Sequence, residues 1–330
     1  MGLLDRLLKR YAPGGPGLVI GPAVGIDSAV IDFHGHYLIA KTDPITFVAE
    51  GIGSYALYIN ANDIAVMGGV PRWFLSTILL PEDGSTVKTV QRIFSEISRA
   101  CRSLGVTLAG GHTEITRGIE IPIVVGQMLG TVDRGYFVTA AGARPGDDVM
   151  LTKGIAVEAT SILARNTGAG LIRSGRFAKA FISRCVNFTK RPGISVVRDA
   201  GLMLDCARVH AMHDPTEGGL ATGLHELALA SGCGLLLDKG SIYVYPETER
   251  LLGHYGLDPM GAIASGALIA VIDPADTEKA LHGLSKAGIR ASRIGVVTRK
   301  KDGAAVRVAA GPTFGPVKCV SRKRRPAVAC

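Results

Sequence analysis

Short apolar runs bounded by glycine alternate with longer stretches of helical spacing along most of the chain. Residues 18–20, 29–33 and 37–40 read as strands. The apolar-polar rhythm of residues 54–67 predicts a helix closed by Gly68-Gly69. A strand over 71–80 follows, then a helix capped by Ser85 or Thr86 that runs to 104 and stops at Gly105. Strands are expected at 106–109 and 121–132. In the second half the pattern gives strands at 149–151, 208–212, 235–237, 268–272, 292–297 and 304–308. Helices are expected at 155–164, 194–203, 219–231 and 275–287. Residues 166–193 carry only weak periodicity. Strands and helices mix in both halves, so the fold class is α/β (α+β).

Length sharpens this picture. At about 150 residues per domain, 330 residues make roughly two domains. The clearest break in composition is 142–148, with Pro145-Gly146-Asp147-Asp148. It divides the chain into an extension over 1–17, a first domain over 18–145, a second over 146–316 and a basic tail over 317–330. The opening stretch, interrupted by Asp5 and Arg6, is expected to be a short amphipathic helix and not a secretion signal. No apolar run reaches the roughly 18 residues of a membrane span. The six cysteines lack the CxxC spacing of a redox or metal site, which fits reduced thiols and a cytoplasmic protein.

The formal net charge is +9, and Lys318, Arg322, Lys323, Arg324 and Arg325 crowd the end of the chain. No aromatic residue interleaves with them to stack on bases, so a solvated tail is the expectation and a nucleic-acid partner is not.

Five segments could carry chemistry. Gly21 to Ala29 is glycine-rich and ends in Asp27; its backbone could approach an anion, or it is a plain turn. Lys41-Thr42-Asp43-Pro44 closes a strand. Asn60, Asn62 and Asp63 sit within four positions of a helix that such residues disfavour. Internal hydrogen bonds would explain them one by one. Taken with Asp27 and Asp43, three short acids imply a divalent cation. Gly110-Gly111-His112-Thr113-Glu114 follows a strand and reads as a ligand-facing loop. His213-Asp214-Pro215-Thr216-Glu217-Gly218-Gly219 joins a strand to a helix, where an anion could sit or where Asp214 or Thr216 could cap the helix.

In this order the five segments resemble the superfamily of aminoimidazole ribonucleotide (AIR) synthetase, over about residues 21–308. Its members include thiamine monophosphate kinase, selenophosphate synthetase and the hydrogenase maturation factor HypE. The second half, with His225-Glu226-Leu227-Ala228 and Ser231-Gly232-Cys233-Gly234 after the Asp214 segment, is most similar to the HypE branch. The resemblance implies a two-domain PurM-like fold, a homodimer formed through the first domain, and ATP with Mg²⁺ held between the domains. It implies Asp27, Asp43 and Asp63 as metal ligands, with Asn62 assisting. It places Gly25, Lys41, Gly110, Gly111, His112, Thr113, Glu114, Asp214, Thr216 and Glu217 around the nucleotide.

HypE proteins end in Pro-Arg-Ile-Cys, whose thiol carries a carboxamide that becomes a thiocyanate. This chain ends Pro326-Ala327-Val328-Ala329-Cys330, one residue longer from Pro to Cys. The resemblance therefore implies Cys330 and Asp214 as catalytic residues of an ATP-dependent carboxamide dehydration in hydrogenase maturation. A carbamoyl transferase and other maturation proteins would be the partners. Ile26 and His112 replace acidic residues common in relatives. Two other readings stay open, a small-molecule kinase or synthetase and a non-catalytic nucleotide-binding protein.

Overall fold

The computed structural model describes residues 3–12, 14–22, 26–46, 48–133, 137–299 and 306–309. Gly25, Cys330 and the tail over 317–330 lie outside them. The first half runs α1 (Leu3–Tyr11), β1 (Leu18–Ile20), β2 (Ala29–Phe33), β3 (His36–Ile45), α2 (Ile52–Val66), β4 (Val70–Pro81), α3 (Val87–Leu104), β5 (Thr107–Thr116) and β6 (Ile123–Asp133). Its six strands form one sheet in the order β1-β2-β3-β6-β4-β5, antiparallel except for β4 with β5.

The two long helices of this half differ in character. On α3, Ile93, Ile97, Ala100 and Cys101 recur at helical spacing and are the apolar side chains it buries. Thr86 caps it by accepting from the Thr89 N–H at 3.2 Å, and Gly105 ends it in a left-handed turn. On α2, by contrast, nearly every residue is buried, including Asn60, Asn62 and Asp63. Such a helix lies inside the protein and contacts structure on all sides. One side joins the core of the first sheet, through Ile52, Ala56, Ile64 and neighbours. Its end, Ala65 and Val66, packs with Met150, Val196, Met203 and Leu268 of the second half.

The second half runs β7 (Asp148–Thr152), α4 (Val157–Arg173), α5 (Lys179–Val186), α6 (Val197–Cys206), β8 (Val209–His213), α7 (Gly219–Ser231), β9 (Gly234–Asp238), α8 (Pro246–His254), β10 (Ile269–Ile272), α9 (Thr277–Lys286), β11 (Ala291–Thr298) and β12 (Val306–Ala309). Its sheet has the order β12-β9-β11-β7-β10-β8, with only β12 and β9 parallel. Leu220, Leu224, Leu227 and Ala228 on one face of α7 pack against Val149, Leu151 and Ile269. Among the described residues no helix is long and apolar enough to cross a membrane.

Three sequence expectations change. The strand expected to stop at 109 continues to Thr116, so Gly110 to Glu114 are strand and not loop. Gly111 is required there because a Cβ would run into the Ser76 carbonyl of β4. The weakly periodic stretch 166–193 holds the end of α4 and all of α5, which buries Phe181, Ile182 and Cys185. Eight residues show too few turns for a period to stand out. The same holds for α8, which opens on Pro246 at its first position.

Candidate active site

Five of the expected residues converge at the seam between the two sheets. Asp27 precedes β2, and Lys41 and Asp43 are two apart on β3, hence on one face. Asp63 comes from the last turn of α2, and Asp214 follows the end of β8. Lys41 Nζ stands 3.2 Å from Asp63 Oδ2 and 3.8 Å from Asp43 Oδ2. Two further contacts fix the frame. Ser28 Oγ donates to the Asp63 carbonyl at 3.3 Å, and Asn60 Nδ2 donates to the Asp43 carbonyl at 3.3 Å.

Two residues of the site were quoted in sequence motifs but given no role there. His213, the last residue of β8, has Nδ1 3.2 Å from Asp27 Oδ2 and Nε2 3.2 Å from Glu226 Oε2 on α7. Both lie in segments with recognisable patterns, but nothing in their spacing shows that they meet Asp27.

Burial sets the electrostatics. Asp214 is 2% exposed and neither of its carboxyl oxygens has a hydrogen-bond partner. Burial, with the nearby Asp27 charge, pushes its pKa to about 7, against the pull of His213 and Lys41. Asp63 is raised well above the usual carboxylate range by burial and by Asp214. Asp43 is raised by burial, which Lys41 offsets only in part. Burial lowers the Lys41 pKa, but Asp63 and Asp43 outweigh it and the net shift is upward. His213 follows the same logic: burial works against its charge, and hydrogen bonds to Asp27 and Glu226 overcome it. The balance favours its charged form.

Four carboxyl groups, Asp27, Asp43, Asp63 and Asp214, thus face two cations, Lys41 and His213. The cluster is short of positive charge. Its donors are hard oxygens, and the unpartnered Asp214 carboxyl is an acceptor with nothing to accept from, so the residues fit Mg²⁺. Ligand atoms of Asp27, His213 and Asp214 all lie within 4.8 Å of one another. His213 holds a proton and faces a carboxylate at each nitrogen, so of these three the two aspartates suit a metal.

Other expected residues lie elsewhere or act differently. Asn62 spends its whole amide on backbone, donating to the Ile194 carbonyl at 2.9 Å and accepting from Val196 N–H at 2.8 Å. It ties α2 to the second half, a structural task in place of the expected phosphate or metal contact. Gly110, Gly111, His112, Thr113 and Glu114 lie exposed on the edge strand β5. That is three strands from β3, or about 14 Å of sheet. His112 Nε2 pairs with Glu114 Oε2 at 3.4 Å. Within one chain they do not reach the carboxylates. Thr216 and Glu217 lie in the turn after Asp214. The Thr216 carbonyl accepts from Gly219 N–H at 3.0 Å and Ala264 N–H at 3.2 Å. Helix α7 has Gly218 at its N-cap with no side-chain cap, so neither Asp214 nor Thr216 caps it. Gly219, with φ +65°, leaves no room for a Cβ against the Ala262 and Met260 carbonyls.

Comparison with known proteins gives a consistent result. The N-terminal domain of the AIR synthase related proteins matches residues 25–132, and their C-terminal domain matches residues 144–307. Carbamoyl dehydratase HypE of Cupriavidus necator is 29% identical over 259 residues, covering 77% of this chain and 70% of that protein. Among solved structures, a chain of a HypE–HypF complex superposes with a TM-score of 0.77 at 19% identity, covering 98% of this chain and 100% of that one. The hydrogenase maturation protein HypE in complex with ATP gives 0.73 at 22% identity, covering 98% and 96%.

Proposed function

We infer the function from one premise, that the chain belongs to the AIR synthase related family: it is an ATP-dependent enzyme of carboxamide dehydration in hydrogenase maturation. The observation that carries this reading is the meeting of Asp27, Asp43 and Asp63 with Asp214 where the two sheets join, with too few cations to balance them. The resemblance to HypE, a carbamoyl dehydratase by name in its relatives, supports the acceptor.

In the reaction, the carboxamide oxygen takes the γ-phosphoryl group of ATP and an N–H proton is lost. The C–O bond then breaks, phosphate leaves with that oxygen, and loss of the second N–H proton leaves a nitrile and ADP. In the strict version the carboxamide is a thiocarbamate on Cys330 and the product a thiocyanate.

The residues divide the work. Asp27, Asp63 and Asp214, with Asp43, would hold Mg²⁺, which when bound offsets the negative charge of the phosphates. Lys41 stays protonated and holds Asp63 and Asp43 in place. His213 clamps Asp27 to Glu226, so the two halves keep a fixed geometry around the triphosphate.

Partners follow from the same reading. A carbamoyl transferase would load the thiol, which the likeness to a HypE chain from a HypE–HypF complex supports. A second copy of this chain would cover the first sheet. Its edge strand β5 is exposed from Thr107 to Ile115, and Trp73 of β4 is also exposed. Such a pairing is the route by which Gly110 to Glu114 would approach a nucleotide. The free thiols of Cys101, Cys185, Cys206 and Cys233 suit the cytoplasm.

The test is to carbamoylate the full chain with cyanate and add Mg-ATP. One ADP per chain and the loss of one water's mass at Cys330 are expected. Phosphate release no faster than from the unmodified chain overturns the reading.

A further inference from the structure

Residues 159–198 hold eight cations and no acidic residue, in a chain with 37 of the one and 28 of the other. The stretch covers most of α4, all of α5 and the turn beyond it.

The fold puts most of this charge outside. Helix α5 buries Phe181, Ile182 and Cys185 and exposes Lys179 and Arg184. Arg173 and Arg176 lie at the turn between α4 and α5, and Lys190 and Arg191 follow α5; all four are exposed. Two cations of the stretch meet carboxylates, Arg165 at Glu50 Oε2 (3.0 Å) and Arg184 at Glu247 Oε1 (3.1 Å). Among the described residues, Arg173, Arg176, Lys179, Lys190 and Arg191 form no ion pair. Helix α8 adds Arg250, whose guanidinium stands 4.8 Å from the centre of the Phe181 ring. Unpaired charges of one sign repel one another and gain by meeting carboxylates.

The layout selects the partner. Lys179 opens α5, and Lys190 and Arg191 come after its end, with about 12 Å of helix between. A single phosphate or carboxylate cannot reach from one to the other, whereas an extended acidic face can. The rings within the surface, Phe177 and Phe181, are buried in a stack of 4.8 Å, and Arg184 and Arg250 lie over Phe181. They offer no face on which a base could stack. The surface also borders the site. Just past Arg191, Ile194 and Val196 are fastened to Asn62, the neighbour of Asp63 on α2. The run Arg322-Lys323-Arg324-Arg325, close in sequence to Cys330, carries the same sign.

We propose that the exposed face of α5 and its two flanking turns dock an acidic face of the protein that loads Cys330, a proposal that rests on the function inferred above. One acidic face then attracts both this surface and the basic run beside the thiol, and it brings the partner to the seam where the carboxylates meet.

The test uses the full chain and two probes, poly-L-glutamate and a short DNA duplex, at low and high salt. Carbodiimide couples the carboxylates of the first probe to lysines, which mass spectrometry locates. Coupling at Lys179 and Lys190 about tenfold above that at the exposed Lys88 and Lys279 is expected, and it should vanish at high salt. The triple variant Arg173→Glu, Arg176→Glu, Arg191→Glu keeps both reporter lysines. Its coupling at them should fall to the level of Lys88, with the melting temperature within a few degrees of the parent's. Loading of Cys330 by a carbamoyl transferase should slow about tenfold or more in the variant. Phosphate release after carbamoylation with cyanate, which needs no partner, should be unchanged. Even coupling over all exposed lysines overturns the proposal, and so do equal loading rates for parent and variant. A duplex that binds the parent more tightly than poly-L-glutamate, and not the variant, gives the surface to nucleic acid and overturns it too. Selective coupling and slowed loading without phosphate release from either chain refute the dehydration alone.

Discussion

His213 and Asp27, 186 residues apart, form an ion pair of 3.2 Å that links the second sheet to the entry of the first. Glu226 holds the other imidazole nitrogen at the same distance. The pair is buried on the histidine side and nearly so on the aspartate side, so losing one partner strands the other.

His213→Ala is therefore expected to destabilise the chain by about 3 kcal/mol, the low end for breaking a buried pair. Urea denaturation measures it. The proton on His213 is held more tightly in the folded state, so its contribution is fully present below the unfolded histidine value. It fades as pH rises through the elevated folded value. The gap between parent and variant should narrow at alkaline pH. A gap that widens there contradicts the imidazolium.

Asp214→Asn should separate stability from function. The carboxyl of Asp214 holds its proton up to about pH 7, so the parent loses stability as pH rises from the ordinary aspartate value towards 7 and levels off above it. The amide carries no such cost. A melting temperature a few degrees above the parent's at pH 8, with Mg-ATP binding lost, is the expected pair of results. Calorimetry reads the first and titration with Mg-ATP the second.

Asn62→Ala should do the reverse. It removes two buried hydrogen bonds and leaves the Val196 N–H and the Ile194 carbonyl without partners, at a cost of about 2–3 kcal/mol. The fraction that remains folded should bind Mg-ATP with parental affinity. A large drop in affinity would return Asn62 to the phosphate site.

Ile115→Glu tests the second copy. Ile115 is 59% exposed on β5, and a charge there costs a single chain little. Light scattering should show a dimer for the parent and a monomer for the variant. A parent that is already monomeric removes the pairing.

Much of this site could be read from the chain, and the reasons differ residue by residue. Asn60, Asn62 and Asp63 stood out because a helix interior disfavours them. Yet only Asp63 faces the carboxylate cluster, since Asn60 serves the Asp43 backbone and Asn62 the Val196 backbone. Asp214 stood out by its Pro and paired glycines. Gly110-Gly111 misled, because glycine that permits two strands to approach looks in sequence like glycine that makes a loop. The meeting of His213 and Glu226 with Asp27 was hidden for another reason. Their significance is a matter of proximity across long separations, and no local pattern encodes it.

Helix α2 has a further consequence. It supplies Ala65 and Val66 to one core of the second half, and Tyr55 to another alongside Val157, Phe188 and Ile194. Neither half owns it. The chain should melt as one calorimetric event, and two halves expressed apart should each be insoluble, one displaying a stripped helix and the other the empty trough it came from.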